Sequence, residues 1–327
     1  MANGRLEKEL RAEQKMMEML KDLPQVFSEF YYSMRASKKS YTTMTAYIRY
    51  VKNFMDFVTQ GQPSNDFYKN ITSTDIEQYL ISLETRTSGG NLVRMGDSIQ
   101  ATRWSALNTF FDFLVNKKEY LKKNPMSKTD RPSINTENTV TALTKKEISQ
   151  IIWAVRQNPS PSTAIRDEAI ITLAIATGLR VSALTNINIE DIDFDNNVIH
   201  VIEKRNRSKA VPIGSQVKEV LQKWIAVRNE EFASETTALF VSHKRNRISI
   251  DAVSDMIKKY AAQVGITKNI TPHVLRKTAA TLLLSAGVDV KTVADILGHK
   301  NLNTIMKYLA ALNENKAKAV QILDGMF

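Results

Sequence analysis

The sequence contains no cysteine. Disulfide frameworks, thiolate metal sites and cysteine nucleophiles are thereby excluded, and the absence fits an intracellular protein. No apolar run is long enough to cross a bilayer. The opening stretch MANGRLEKELRAEQKMMEML is charged throughout and lacks the apolar centre of a signal peptide, so cytoplasmic residence and no membrane partner are expected. Histidine is scarce: His200, His243, His273 and His299 never pair at short ligand spacing, and no metal site is expected. No internal repeat or low-complexity tract is present.

What remains is the make-up of a soluble globular protein: 327 residues, 43% hydrophobic and 24% charged, enough for two domains. The net charge of +11 suggests a polyanionic partner, nucleic acid or an anionic membrane surface, or serves solubility alone.

Residues 1–23 form an amphipathic helix with Leu6, Leu10, Met17 and Leu20 on one face. Tyr41, Met44, Ile48, Val51, Met55 and Val58 repeat at 3-4-3-4-3 spacing, the buried stripe of a helix, with Ser40, Thr42 and Thr43 as cap candidates. A shorter helix covers 74–84 with Ile76, Leu80 and Leu83 inward. Thr87-Ser88-Gly89-Gly90-Asn91 reads as a loop. A further helix over 98–115 carries Ile99, Leu107, Phe110, Phe111 and Leu114. The first third is therefore expected to be all-helical, a domain over 24–124. Breaker-rich residues 125–140 read as a linker. The second domain, 141–327, opens on the capping box Thr144-Lys145-Lys146-Glu147. An apolar helix follows over 166–177, ended by Gly178. The β-branched run Val198, Ile199, Val201 and Ile202, with the turn Asp195-Asn196-Asn197, predicts a small antiparallel sheet of two or three strands over 191–212. The rest is helix. The fold class is mainly α with one small antiparallel β-sheet in the C-terminal domain.

Within that domain a few residues carry chemistry. Thr271-Pro272 marks a helix start, Thr as N-cap and Pro at the first position. His273 and Arg276, three apart, share one face of its first turn, where free N–H groups favour an anion. Arg180 directly follows the break at Gly178. Lys204 ends a strand before a basic prong of Lys204, Arg205, Arg207 and Lys209. Gly298 ends a helix before His299, and Asn303-Thr304 caps the next, placing Tyr308 in its second turn. Taken singly each has an ordinary reading: a surface pair, a salt-bridge arginine, a solvated lysine, a core tyrosine. As a set they fit one reaction. Two guanidiniums can grip a phosphate in forks and neutralise charge as it develops. A phenol can attack the phosphorus and hold it as a phosphotyrosine, so no ATP is needed to reseal. A mobile ammonium can protonate the departing 5′ oxygen. No clustered carboxylates accompany these residues, which argues against a two-metal nuclease.

Four stretches now stand together: ATGLRVSALTNI (Ala176 to Ile187), VIEKRNRSKAVPI (Val201 to Ile213), TPHVLRKTAATLLLSAG (Thr271 to Gly287) and ILGHKNLNTIMKYL (Ile296 to Leu309). In order and spacing they closely resemble the signature boxes of the tyrosine recombinases, the phage-integrase and Xer-like site-specific recombinases. The resemblance extends over nearly the whole chain. It implies a two-domain clamp around duplex DNA, the first domain being a helical, SAM-like core-binding domain. By resemblance, Arg180 and Arg276 match the phosphate-gripping arginines, Lys204 the hairpin lysine, His273 and His299 the two histidine positions, and Tyr308 the nucleophile. Ala183 stands where many relatives have Glu, and Glu203 and Arg205 replace glycines beside Lys204.

The resemblance further implies a double-stranded DNA partner carrying a specific site, a monomer when free, a homotetramer on two synapsed sites, and no cofactor. The C-terminal tail, with Val320, Ile322, Leu323, Met326 and Phe327, needs a receiving groove in its own chain or a neighbour's. The segment before Tyr41 leaves no room for an arm-site domain. Additional DNA-contact candidates are Arg103, Lys277, the prong residues Arg205, Arg207 and Lys209, and Lys244, Arg245 and Arg247 of the basic stretch His243-Lys244-Arg245-Asn246-Arg247. Two other readings are a DNA-binding regulator with a decayed site, against which the intact set of six argues, and a related phosphotyrosine-forming enzyme, a type IB topoisomerase or telomere resolvase, whose reaction needs no synapsis of two sites.

Overall fold

The computed structural model describes residues 2–62, 64–88, 91–94, 96–133, 141–203, 207–232, 236–298, 302, 305–306 and 308–310. The chain forms two compact units, Met1–Thr136 and Glu137–Phe327.

In the first unit, helix α1 (Ala2–Lys21) buries Met16 and Leu20, whereas Leu10 is 50% exposed and lies off the inward face expected for it. Helix α2 (Gln25–Ala36) has no counterpart in the expectations above. Its buried residues Val26, Phe27, Phe30, Tyr31 and Met34 recur at helical spacing, but its five aromatic and β-branched members weaken helix propensity. Helix α3 (Tyr41–Val58) buries Met44, Ile48, Val51 and Met55 as its spacing predicts, with Phe54 added, and the Ser40 hydroxyl accepts from the Thr43 amide at 3.2 Å. Helix α4 (Ser73–Ser82) starts at a capping box of Thr72 and Asp75.

The expected loop at 87–91 is corrected. Strands β1 (Thr85–Ser88) and β2 (Asn91–Arg94) pair antiparallel, Thr85 opposite Arg94 and Ser88 opposite Asn91. In the sequence two glycines separate the strands. The first unit is therefore not wholly helical. Helix α5 (Asp97–Asn116) completes it, stacking Phe110 on Phe27 and Phe67. The segment taken as linker starts inside this unit. The 3-10 turn Pro125–Lys128 buries Met126, and Thr129 accepts from the Trp104 indole N–H at 3.1 Å.

The second unit is organised by α7 (Pro161–Thr177), an apolar helix that packs against α6 (Lys145–Arg156) on one side. Gly178 ends it in the left-handed region, φ +59°, and α8 (Val181–Asn186) follows at once. Strands β3 (Ile192–Asp193), β4 (Val198–Glu203) and β5 (Arg207–Pro212) form the predicted antiparallel sheet in the order β3-β4-β5. Ile199 lies opposite Val211 and Val201 opposite Lys209. Directly opposed residues share a sheet face, so Lys209 falls on the covered face with three buried side chains, Ile199, Val201 and Val211. Helices α9 (Ser215–Glu231) and α10 (Ile250–Gln263) follow. The Tyr260 phenol of α10 donates to Asp167 Oδ2 at 2.8 Å and accepts from Asn158 at 2.7 Å, and burial first, then the Asp167 charge, push it up to about 12. Arg166 pairs with Asp167 in the same interior, so the buried carboxylate is satisfied on both sides.

Helices α11 (Pro272–Ser285) and α12 (Val290–Leu297) close the described chain together with helical residues 305–306 and 308–310. They form a second small core of Ala280, Leu284, Val293, Ala294, Leu297, Ile305 and Tyr308. Among the described residues no helix is long and apolar enough to cross a membrane.

Candidate active site

The site begins where α7 stops. A Cβ added at Gly178 would lie 2.3 Å from Leu297 Cδ2 and 3.3 Å from Ala279 Cβ. Only glycine combines that φ with that approach. The close fit lets the end of α12 and one face of α11 reach the turn that carries Arg180. Arg180 is the residue before α8, its carbonyl accepting from the Ala183 amide at 2.8 Å, so its backbone is fixed. Ala183, three residues on, is buried.

Arg276 projects from α11 and is buried, 4% exposed. Its Nη1 donates to the Gly178 carbonyl at 2.6 Å and its Nη2 to the Leu297 carbonyl. Both acceptors terminate helices, α7 and α12, where carbonyls lack intrahelical partners and the helix dipole is negative. A buried guanidinium costs several kcal/mol unless such partners compensate it. Arg180 Nη2 donates to the next carbonyl, that of Gly298, at 3.3 Å, and Gly298 is itself left-handed at φ +62°. The two arginines are thus oriented by adjacent carbonyls of one helix end.

Pro272 occupies the first position of α11 as expected, but the Thr271 side chain makes no capping hydrogen bond. Thr271 is the N-cap by backbone geometry alone. His273 lies in the first turn, its residue surface open to solvent. Partial desolvation by the packed chain, then the positive charges of Lys277, Arg276 and Arg180, hold its imidazole below the ordinary value of 6.5. It is therefore neutral at pH 7 and able to accept a proton. The same charges show that His273, Arg276 and Arg180 share one electrostatic neighbourhood.

Tyr308 is 5% exposed and packs in the small core with α11 and α12. Burial pushes its phenol above 10, and the Arg276 charge pulls the other way. The phenol therefore lies within the field of Arg276 of its own chain. Lys204, Arg205 and His299, and the tail over 311–327, lie outside the described residues, and Arg207 opens β5 with only its backbone described.

The other basic candidates divide. Lys244 and Arg245 are exposed on a turn closed by Ser242 N–H to Asn246 O at 2.7 Å. Arg247, by contrast, donates to the carbonyls of Thr185 at 2.8 Å and Ile187 at 3.1 Å and to Asn188 Oδ1 at 2.5 Å, closing the end of α8. Arg103 is half-buried, its guanidinium 5.4 Å from the Tyr50 ring centre. Lys277 is half-buried beside His273. Lys209 donates to the carbonyls of Asp295 at 2.6 Å and Ile296 at 2.8 Å. The expectation of Lys209 as a DNA-contact residue of the basic prong did not include this contact with its own chain. Its signal was the two-residue alternation that puts Lys209 in phase with Val211.

Residues 141–315 match the Phage integrase family, and residues 26–120 match the Phage integrase, N-terminal SAM-like domain. The tyrosine recombinase XerC of Roseiflexus castenholzii (strain DSM 13941 / HLO8) is 30% identical over 273 residues, covering 82% of this chain and 83% of that protein. Among solved structures, a XerH site-specific recombinase bound to palindromic difH substrate in a post-cleavage complex is similar with a TM-score of 0.71 at 19% identity, over 89% of this chain and 82% of that one. A lambda integrase tetramer bound to a Holliday junction is similar with a TM-score of 0.65 at 20% identity, over 86% and 76%. At these identities the structures establish a shared fold.

Proposed function

We propose that this chain, which belongs to the Phage integrase family, is a site-specific recombinase that cuts and rejoins duplex DNA through Tyr308. The observation that carries this reading is the convergence on one helix end of two arginines from separate elements, with a tyrosine inside the field of one of them. Arg180 and Arg276 hold the non-bridging oxygens of the scissile phosphate and neutralise charge as attack proceeds. His273, neutral at pH 7, takes the Tyr308 proton as the phenolate oxygen bonds to phosphorus. The bond from phosphorus to the 5′ oxygen breaks, and Lys204 protonates that oxygen. His299 donates a hydrogen bond to the phosphate. The 3′-phosphotyrosyl link conserves the bond energy, so the 5′ hydroxyl of a second strand displaces Tyr308 without ATP. Duplex DNA is the partner, with four copies assembling on two synapsed sites. The work is cytoplasmic.

The test uses a duplex selected from random-sequence DNA and nicked beside the cleavage position, so that the leaving strand diffuses away. Wild-type protein should form an adduct that survives detergent electrophoresis, and Tyr308→Phe should bind the same duplex and form none. An adduct of undiminished yield with Tyr308→Phe overturns the assignment.

A further inference from the structure

An α-helix leaves its last four carbonyls without intrahelical donors. The carbonyls at the end of α12 are those of Asp295, Ile296, Leu297 and Gly298; that of Asp295 also accepts from the Gly298 amide at 3.1 Å, and each accepts from a cationic side chain brought from elsewhere. Lys209 of β5 takes the first two, Arg276 of α11 the third, and Arg180 of the α7–α8 turn the fourth. Three elements separate in sequence thus meet on one turn of helix. The sheet register explains how Lys209 reaches it, since the side chain stands opposite Val201 on the covered face.

We propose that Lys209 is a positioning residue for the phosphate-gripping arginines. It anchors the end of α12 to the sheet and fixes the carbonyls of Leu297 and Gly298 on which Arg276 and Arg180 are oriented. Its role is exercised through those arginines and not on DNA. The negative end of α12 attracts all three cations, and a displacement of that end moves both guanidinium anchors together. The proposal rests on the reading that Arg180 and Arg276 grip the phosphate.

The test compares single-turnover cleavage, at saturating protein, of two duplexes. One carries an ordinary scissile phosphodiester; the other carries a neutral methylphosphonate there, which has less charge for arginines to neutralise. The ratio of the two rates within one preparation does not depend on the fraction of protein that is folded. Losing a hydrogen bond to a charged group amounts to about a tenfold effect. Lys209→Gln should therefore slow the phosphodiester about tenfold and the methylphosphonate less than about twofold, and Lys209→Arg should recover most of the loss. Equal loss on both duplexes, no loss, or no recovery by arginine overturns the proposal. Arg180→Ala serves as the benchmark. If it too slows both duplexes equally, the arginine grip itself is wrong, and the role of Lys209 falls with it.

Discussion

Arg276 and Gly178 are 98 residues apart in sequence, yet the arginine Nη1 donates to the glycine carbonyl at 2.6 Å. The bond joins the middle of α11 to the last turn of α7. It exists because Gly178 has no side chain to hold Leu297 away.

Gly178→Ala should therefore damage both fold and site. A left-handed φ costs a non-glycine residue about 1–2 kcal/mol, and the added Cβ meets Leu297 Cδ2 at 2.3 Å. We expect a loss of at least about 2 kcal/mol in urea unfolding, with adduct formation reduced more steeply than binding. An unchanged unfolding midpoint would refute the role given to this glycine.

Arg276→Lys keeps the charge and loses the fork. One ammonium cannot bridge the carbonyls of α7 and α12 and also present paired donors to a phosphate. Adduct formation should fall about 10²–10³-fold, the scale of removing one transition-state donor. Single-turnover cleavage at saturating protein measures it, and a loss under about threefold would count against the grip.

His273 supplies a pH test. Partial burial and its cationic neighbours lower the imidazole below 6.5. The unfolded chain, titrating near that value, binds its proton first as pH falls, so the folded state loses stability as pH drops through 6.5 and below. Imidazole signals in the free protein should titrate below 6.5. Arg180→Gln, by removing one positive charge, should raise the midpoint. A wild-type midpoint above 6.5, or a fall in the variant, contradicts the assignment.

Much of this was legible in the sequence because it is local. The stripe of α3, the capping box at Thr144 and the β-branched run of β4 are periodicity and cap chemistry written in consecutive residues. Gly178 and Gly298 could be read as helix ends for the same reason. What escaped depends on tertiary partners. Helix α2 is dense in Phe and Tyr, whose burial against α3 and α5 overrides their weak helix propensity. The hairpin at 85–94 is short, and its strand sequences TRTS and NLVR are mostly polar. Arg247 and Lys209 read as exposed basic residues because no local rule shows that theirs are the donors that reach the ends of α8 and α12. The six chemical residues were found through family resemblance and spacing. That two of them share one helix end, and that a third cation joins them there, required the fold.

The most direct measurement is to identify the residue bound to DNA. The trapped adduct is digested with nuclease and protease, and the modified peptide is sequenced by mass spectrometry. The account predicts a single nucleotide linked through its 3′ phosphate to the Tyr308 oxygen. A phosphate found on any other side chain, or linkage through a 5′ phosphate, would contradict it.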